Sequence, residues 1–392
     1  MNHKQIHIQN QRIERISPTH LIIGVDIAKE VHVAHATNYR GIVLTHNPLR
    51  FRNSLEGFEA FQNWMHRLLK KHGYTDAIIG MEPTGHYWWT FADHLEEQKQ
   101  QVALVNPVAT KRNKENRDNC PSKSDPKDAQ VIADLVSRGY YSEVRPQAAS
   151  FERLRSLMGE REFWLEDRIR MENRITRWLD IHFPGYDKVF SDWRCRRSVA
   201  TLKAFPTPSE LQGLTTTEVI EQWREQHMQR AGGSRGIQKA AELLAEAKRS
   251  VGRVKELEEA KKEIERLVEQ YERLENMLQT LEGECKILLE EIPVARQLQS
   301  IKGLSTILVG AILAGAGDLK NYAHGNQLLR RAGLNLAECS SGKRKGQITL
   351  SKRGDAMLRK YMYLATVQLI GNHSQFRQWH QSNTKEKGMK KH

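Results

Sequence analysis

Four cysteines in 392 residues leave little room for sulfur chemistry. Cys120, Cys195, Cys285 and Cys339 are scattered, with no CxxC and no Cys/His spacing. That pattern excludes a zinc finger and a disulfide framework, and it suits a reducing, cytoplasmic setting. The opening MNHKQIHIQNQRIERI has no apolar h-region, so no secretory signal is expected there. The longest apolar run, ILVGAILAGAG at 307–317, is too short to span a bilayer, and no membrane partner is expected. Acids are also scarce relative to bases: 47 Asp+Glu stand against 61 Lys+Arg, a net charge of +14. An excess of this size points to a polyanionic partner, and nucleic acid is the usual one.

The charge is uneven. Residues 255–292 hold twelve acids and six bases, so the rest of the chain carries +20. Basic clusters recur at Lys111, Arg112, Lys114 and Arg117, at Arg168, Arg170, Arg174 and Arg177, and at Arg194, Arg196 and Arg197. Each alone is an ordinary solvated face. The acidic stretch has a heptad pattern: Leu257, Ile264, Tyr271, Leu278, Cys285 and Ile292 repeat every seven residues. Ala260, Leu267, Leu274, Leu281 and Leu288 follow three later each time. This a/d seam predicts a long coiled coil. Its partner helix is either 147–182 of the same chain or a second protomer.

Residues 21–46 read as three strands, LIIGVDIA, VHVAHAT and RGIVLTH. A helix follows at 57–71, a buried strand at 77–82, a helix at 86–99 and a strand at 101–106. Another helix opens at SDPKDA and closes near Gly139. Three strands followed by β/α units are the layout of an RNase H-like fold. Residues 147–182 form a long helix, with Leu154, Leu157, Leu165, Ile169, Ile175 and Leu179 on its buried stripe. LQSIKGLSTILVGAILA reads as helix, tight turn, helix, with Gly303 at the turn. That resembles a helix-hairpin-helix, whose exposed N–H groups suit phosphate; a packed helical hairpin is the other reading. The division expected is 1–145 α/β, 146–295 helical linker and coiled coil, and 296–392 helical with a basic tail.

An RNase H-like enzyme needs carboxylates on particular elements, because two divalent metals about 3.5–4 Å apart clamp a phosphodiester. Magnesium takes oxygen ligands. LIIGVDIAKE places Asp26 in an apolar strand, where an unpaired charge is costly. AIIGMEPTG supplies Glu82 at the end of the next core strand. Asp125 and Asp128 share one face at the start of the following helix. They read both as a helix start and as metal ligands. A second constellation is AECSSGKRKGQITLSKRGDAMLR at 337–359. Glycine lets a backbone approach phosphate, bases neutralise it, and a serine hydroxyl can attack phosphorus. A mobile phosphate-binding loop with no catalysis is the plainer account of the same residues.

GVDIAKE, MEPTGHYWW, KSDPKDAQVIADL, RIRMENRITRWL, IKGLSTILVGAILAGAGD, RRAGLNLAECSSGKRKG and ITLSKRGDAMLRKYMY together resemble the blocks of DEDD transposases of insertion sequences. The resemblance runs from about residue 20 to 370 and keeps block order. It implies a RuvC-like domain joined through a coiled coil to a helical domain with a serine nucleophile. Carried over, the tetrad falls on Asp26, Glu82, Asp125 and Asp128, holding Mg2+. The serine falls on Ser341, with Ser340 its neighbour. Where the family often has Pro three residues after AGL, this chain has Ala337. Nucleic-acid contacts implied are Lys123, Lys127, Arg174, Arg177, Gly303, Gly342, Lys343, Arg344, Lys345, Lys352 and Arg353. The partners implied are donor and target double-stranded DNA, a structured guide (bridge) RNA and further copies of the chain in a tetramer. RuvC-like and serine domains of different protomers would share a site. The rival enzyme is a RuvC-like nuclease or junction resolvase that uses water. A non-catalytic nucleic-acid scaffold is the rival outside enzymes.

Overall fold

The computed structural model describes residues 3–118, 125–143, 148–229, 231–341 and 344–389. Lys123, Gly342 and Lys343 therefore lie outside the described residues, as do the side chains of Asp125, Ser340, Ser341, Arg344 and Lys345. The chain forms two compact units, 1–146 and 147–392. Among the described residues no helix is long and apolar enough to cross a membrane.

The first unit runs α1 (His3–Glu14), β1 (His20–Asp26), β2 (Val31–Asn38), β3 (Leu49–Arg52), α2 (Leu55–His72), β4 (Asp76–Met81), α3 (Trp88–Glu97), β5 (Gln101–Val105), α4 (Pro107–Asp118), α5 (Asp125–Ser137) and β6 (Tyr141–Glu143). These strands make one mixed sheet in the order β3-β2-β1-β4-β5-β6. β1 is antiparallel to β2 and parallel to β4, and β4 is parallel to β5. Central strands buried on both faces read as apolar runs, as LIIGV and AIIGM do. One face is covered by α2 and α3 through Phe58, Phe61, Met65, Phe91 and Leu95. The other is covered by α5 through Val131, Ile132, Leu135 and Val136. The arrangement is compatible with an RNase H-like DEDD transposase fold.

The third strand is not where the sequence places it. RGIVLTH makes only a bridge, Thr37 to Val43, while LRFR pairs along β2 as β3. The Asn38 side chain accepts from the N–H groups of Arg40 and Ile42, both at 2.9 Å, and Gly41 takes φ +81°. The tight turn consumes the residues that would have extended the ladder. Sequence reading also missed α1, α4 and β6.

The second unit begins with α6 (Ala149–His182), then α7 (Tyr186–Val189), α8 (Arg196–Ala204), α9 (Thr216–Glu225), α10 (Ser234–Arg249) and α11 (Leu257–Glu290). It continues with α12 (Pro293–Gln299), α13 (Thr306–Ala316), α14 (Gly325–Arg331), β7 (Leu336–Ser341), β8 (Arg344–Leu350), α15 (Ala356–Asn372) and α16 (Ser374–Met389). α11 packs along α6. The heptad residues from Ala260 to Ile292 are buried, while Leu257 is only half-buried. On α6, Leu154, Ile175 and Leu179 are buried, but Ile169 is 44% exposed. Glu166, Asp167, Arg168 and Arg170 form ion pairs in that turn, so the middle of the stripe lies in a polar zone.

Two cores share α11. Its N-terminal half, Ile264 to Leu274, packs with α7 to α10 around Tyr186 and Trp223. Its C-terminal half, Cys285 to Leu289, packs with Leu154 and Met158 of α6, with α13 and with Tyr361 of α15. Leu336–Ser341 and Arg344–Leu350, within the stretch read above as a loop, pair antiparallel as β7 and β8.

Candidate active site

The register of β1 and β4 sets the site. Val25 lies opposite Met81 and Gly24 opposite Gly80. Asp26 and Glu82 each follow by one residue, so they end neighbouring parallel strands side by side. Alternation along a strand puts each on the same sheet face as the glycine two residues before it. That face belongs to α5. A Cβ on Gly24 would come within 2.0 Å of the Ala129 carbonyl oxygen, and one on Gly80 within 2.6 Å of Val136 Cγ2. Only hydrogen at both positions lets α5 lie this close. Asp128 immediately precedes Ala129, so α5 delivers it beside the strand ends. α5 begins at Asp125, with Pro126 in its first turn.

Glu82 and Asp128 are electrostatic neighbours. Burial pushes the Glu82 carboxyl above the usual carboxylate range. The negative charge of Asp128 adds to this, while a Thr110 hydrogen bond and the Lys114 charge pull it back. Lys114 forms an ion pair with Asp128, and both side chains are largely buried. Asp128 Oδ1 accepts no hydrogen bond of sound geometry from any described group. Thr110 and Lys114 lie four apart on α4, so one face of that helix serves the acids. The sequence signal was present in PVATKRNK, but Lys114 read there as part of a basic cluster.

The loop after Asp26 is pinned by His32. The Ala28 N–H donates to His32 Nδ1 at 3.2 Å. Burial lowers the imidazole pKa, as its place among Phe51, Phe58 and Phe91 requires. Asp26 is half-buried and has an interaction of its own.

Among the described residues no three acidic, His or Cys side chains close to metal-holding distance. The residues present nevertheless fit a hard cation. The donors are oxygens, Asp128 Oδ1 already faces a cation in Lys114, and Glu82 is desolvated.

Other predicted contacts are spread over the surface. Arg174 and Arg177 are exposed on α6, and Lys352 and Arg353 are exposed after β8. Lys127 is half-buried on α5 and engaged in a contact. Gly303 has φ +101° at the turn before α13 and faces Gln368 and Asn372 of α15. Ser305 Oγ accepts from the Leu308 N–H at 3.3 Å, and His373 Nε2 lies 2.7 Å from the Lys302 carbonyl. Groups of that turn are thus engaged within the protein. Ser341, the last residue of β7, pairs with Arg344, the first of β8.

Acids at parallel strand ends under a helix, on a mixed sheet, define a candidate phosphodiester-processing domain. Residues 23–184 match the DEDD transposase family model of IS110, described as a transposase. Residues 295–381 match the model of transposases of the IS116/IS110/IS902 family. The chain therefore carries the transposase domains of the IS110/IS116 family. It is also 25% identical over 250 residues to the insertion element IS116 uncharacterized 44.8 kDa protein of Streptomyces clavuligerus, covering 62% of this chain. The match spans 60% of that relative's length. Residues 185–294 lie outside both family matches.

Proposed function

We propose that this chain is an insertion-sequence DNA transposase that cuts and joins DNA strands. The observation that carries the reading is the meeting of Glu82 and Asp128 beneath α5, beside the strand end that bears Asp26. Asp26, Glu82, Asp125 and Asp128 would hold Mg2+, which supplies Lewis acidity toward a phosphate oxygen. Lys114, the cation now paired with Asp128, stands in for that positive charge and must give way to it.

Ser341 is the nucleophile in this reading. Its hydroxyl oxygen bonds to phosphorus, its proton leaves, and the broken P–O bond releases one DNA end with its own hydroxyl. Attack by the hydroxyl of a second strand reverses the step and frees the serine, so a P–O bond is conserved throughout. Lys352 and Arg353, exposed beyond β8, neutralise the DNA backbone together with Arg344 and Lys345. Sequence choice falls to a guide RNA that pairs with donor and target, and the working assembly is a tetramer. The basic balance of +20 outside residues 255–292 supports two nucleic-acid partners.

The test is recombination between donor and target plasmids with the candidate non-coding RNA, comparing parent, Ser341→Ala and Asp125→Asn. Loss of joining in both variants, with a protein–DNA adduct in the parent alone, supports the reading. Cutting by Ser341→Ala would mean that water is the nucleophile.

A further inference from the structure

The segment outside both family matches packs with the end of α6 into one core, and its surface holds a concavity of about 640 Å³. Arg196, Arg197, His227, Met228 and Gln229 line it. Among the described residues neither arginine has a carboxylate partner. Arg194, two residues earlier, is unlike them: it reaches Asp192 at 2.8 Å and Glu172 at 3.5 Å. Arg196 donates instead to the neutral His227 carbonyl, at 2.8 Å. The Arg197 guanidinium lies over the Trp223 ring at 5.3 Å, and its buried Nε has no hydrogen-bond partner among the described residues. Trp223 is itself fixed, fully buried with its indole N–H donating to Thr201 Oγ1 at 2.8 Å.

Two helix starts converge on this pair. Arg196 and Arg197 open α8, whose N-cap Cys195 places no side-chain hydrogen bond on the first turn. A Cβ on Gly236 would lie 3.8 Å from Arg197 Nη2, so the guanidinium reaches the first turn of α10. The N-cap of α10 is Gly233, again without a side-chain cap. Guanidinium groups fixed by neutral partners keep their full charge and their forked donors for a ligand. An oxyanion with several acceptor oxygens satisfies both forks.

We propose that this concavity binds the phosphodiester backbone of a nucleic acid, with Arg196 and Arg197 as the principal contacts. The two arginines hold adjacent phosphates, and no base is read there. The site is independent of the strand chemistry proposed above. Its effect is on affinity and placement, and binding alone reports it.

The test is binding of the full-length protein to a fluorescent duplex DNA and to a fluorescent stem-loop RNA across a salt series. Each phosphate contact contributes about 0.9 to the slope of log affinity against log salt on a duplex. Arg196→Gln with Arg197→Gln should lower that slope by about two on one of the two probes, which identifies the nucleic acid held. Arg194→Gln, whose cation is already paired, should leave the slope unchanged. Should the double variant melt early, Arg196→Gln alone decides, because it keeps the Trp223 stack; its expected loss is about one. A parental slope in the folded variant on both probes overturns the proposal.

Discussion

Gly24 and Gly80 stand opposite each other on neighbouring parallel strands, and both turn their missing side chains toward α5. The pair is a seat for the helix that bears Asp128. Gly24→Ala puts a methyl 2.0 Å from the Ala129 carbonyl oxygen and 2.5 Å from the Ala133 nitrogen, both backbone. α5 must move, at a cost of about 3 kcal/mol. Gly80→Ala meets mainly the ends of the Val136 and Ile132 side chains and should cost less. Thermal melting of the two variants checks the order, and equal losses would contradict it.

Glu82 should give stability and, in the metal site proposed above, magnesium binding opposite dependence on pH. Its folded pKa is raised, so the native chain keeps a proton that the unfolded chain has already released. Stability contributed by this group therefore falls as pH rises through the window opening at the ordinary value of 4.5. Magnesium affinity should climb over the same window, because the ligand must be ionised. Glu82→Gln should flatten the stability profile and leave the neutral-pH protein slightly more stable, by less than about 1 kcal/mol for a half-buried group. Recombination should be lost in the same variant. Melting curves at several pH values, with and without magnesium, measure both arms.

Lys114→Met removes the cation paired with Asp128. The metal-free protein should lose about 1–3 kcal/mol, because a buried carboxylate is left without its counter-charge. Added magnesium should then raise the melting temperature more in the variant than in the parent. An equal rise in both would show that Lys114 does not occupy the metal's place.

Gly283 lies in the interior of α11, exposed, with nothing within 4 Å of an added Cβ. Gly283→Ala should stabilise the helix by about 1 kcal/mol. Denaturant titration reads the change. A loss instead would mean that a second copy of the chain covers this face.

The central strands were legible because LIIGV and AIIGM are apolar on both faces, and α11 because its seam repeats over five heptads. Glu82 was legible as the acid that ends an apolar strand. β3 was not, because two of the four residues in LRFR are arginines, as an edge strand permits. The paired strands β7 and β8 were hidden by SSGKRKG, whose serines and glycines read as loop. α4 carries a long polar run in PVATKRNKENRD, so its contribution of Thr110 and Lys114 had no periodic signal. The placement of Asp26 beside Glu82 depends on strand register, which only pairing reveals. The heptad seam marked α11 as a packed helix but not the two separate cores that divide it.

That division makes α11 a ruler. Its 34 residues span about 50 Å, with one end gripped by the core that carries Arg196 and Arg197 and the other by the core beneath α13 and α15. A helix held at both ends fixes the spacing between the two cores and so, under the functions proposed above, the length of nucleic acid that fits between them. Lengthening α11 and α6 together by whole heptads would, on that reading, shift where a strand is cut while leaving how it is cut unchanged.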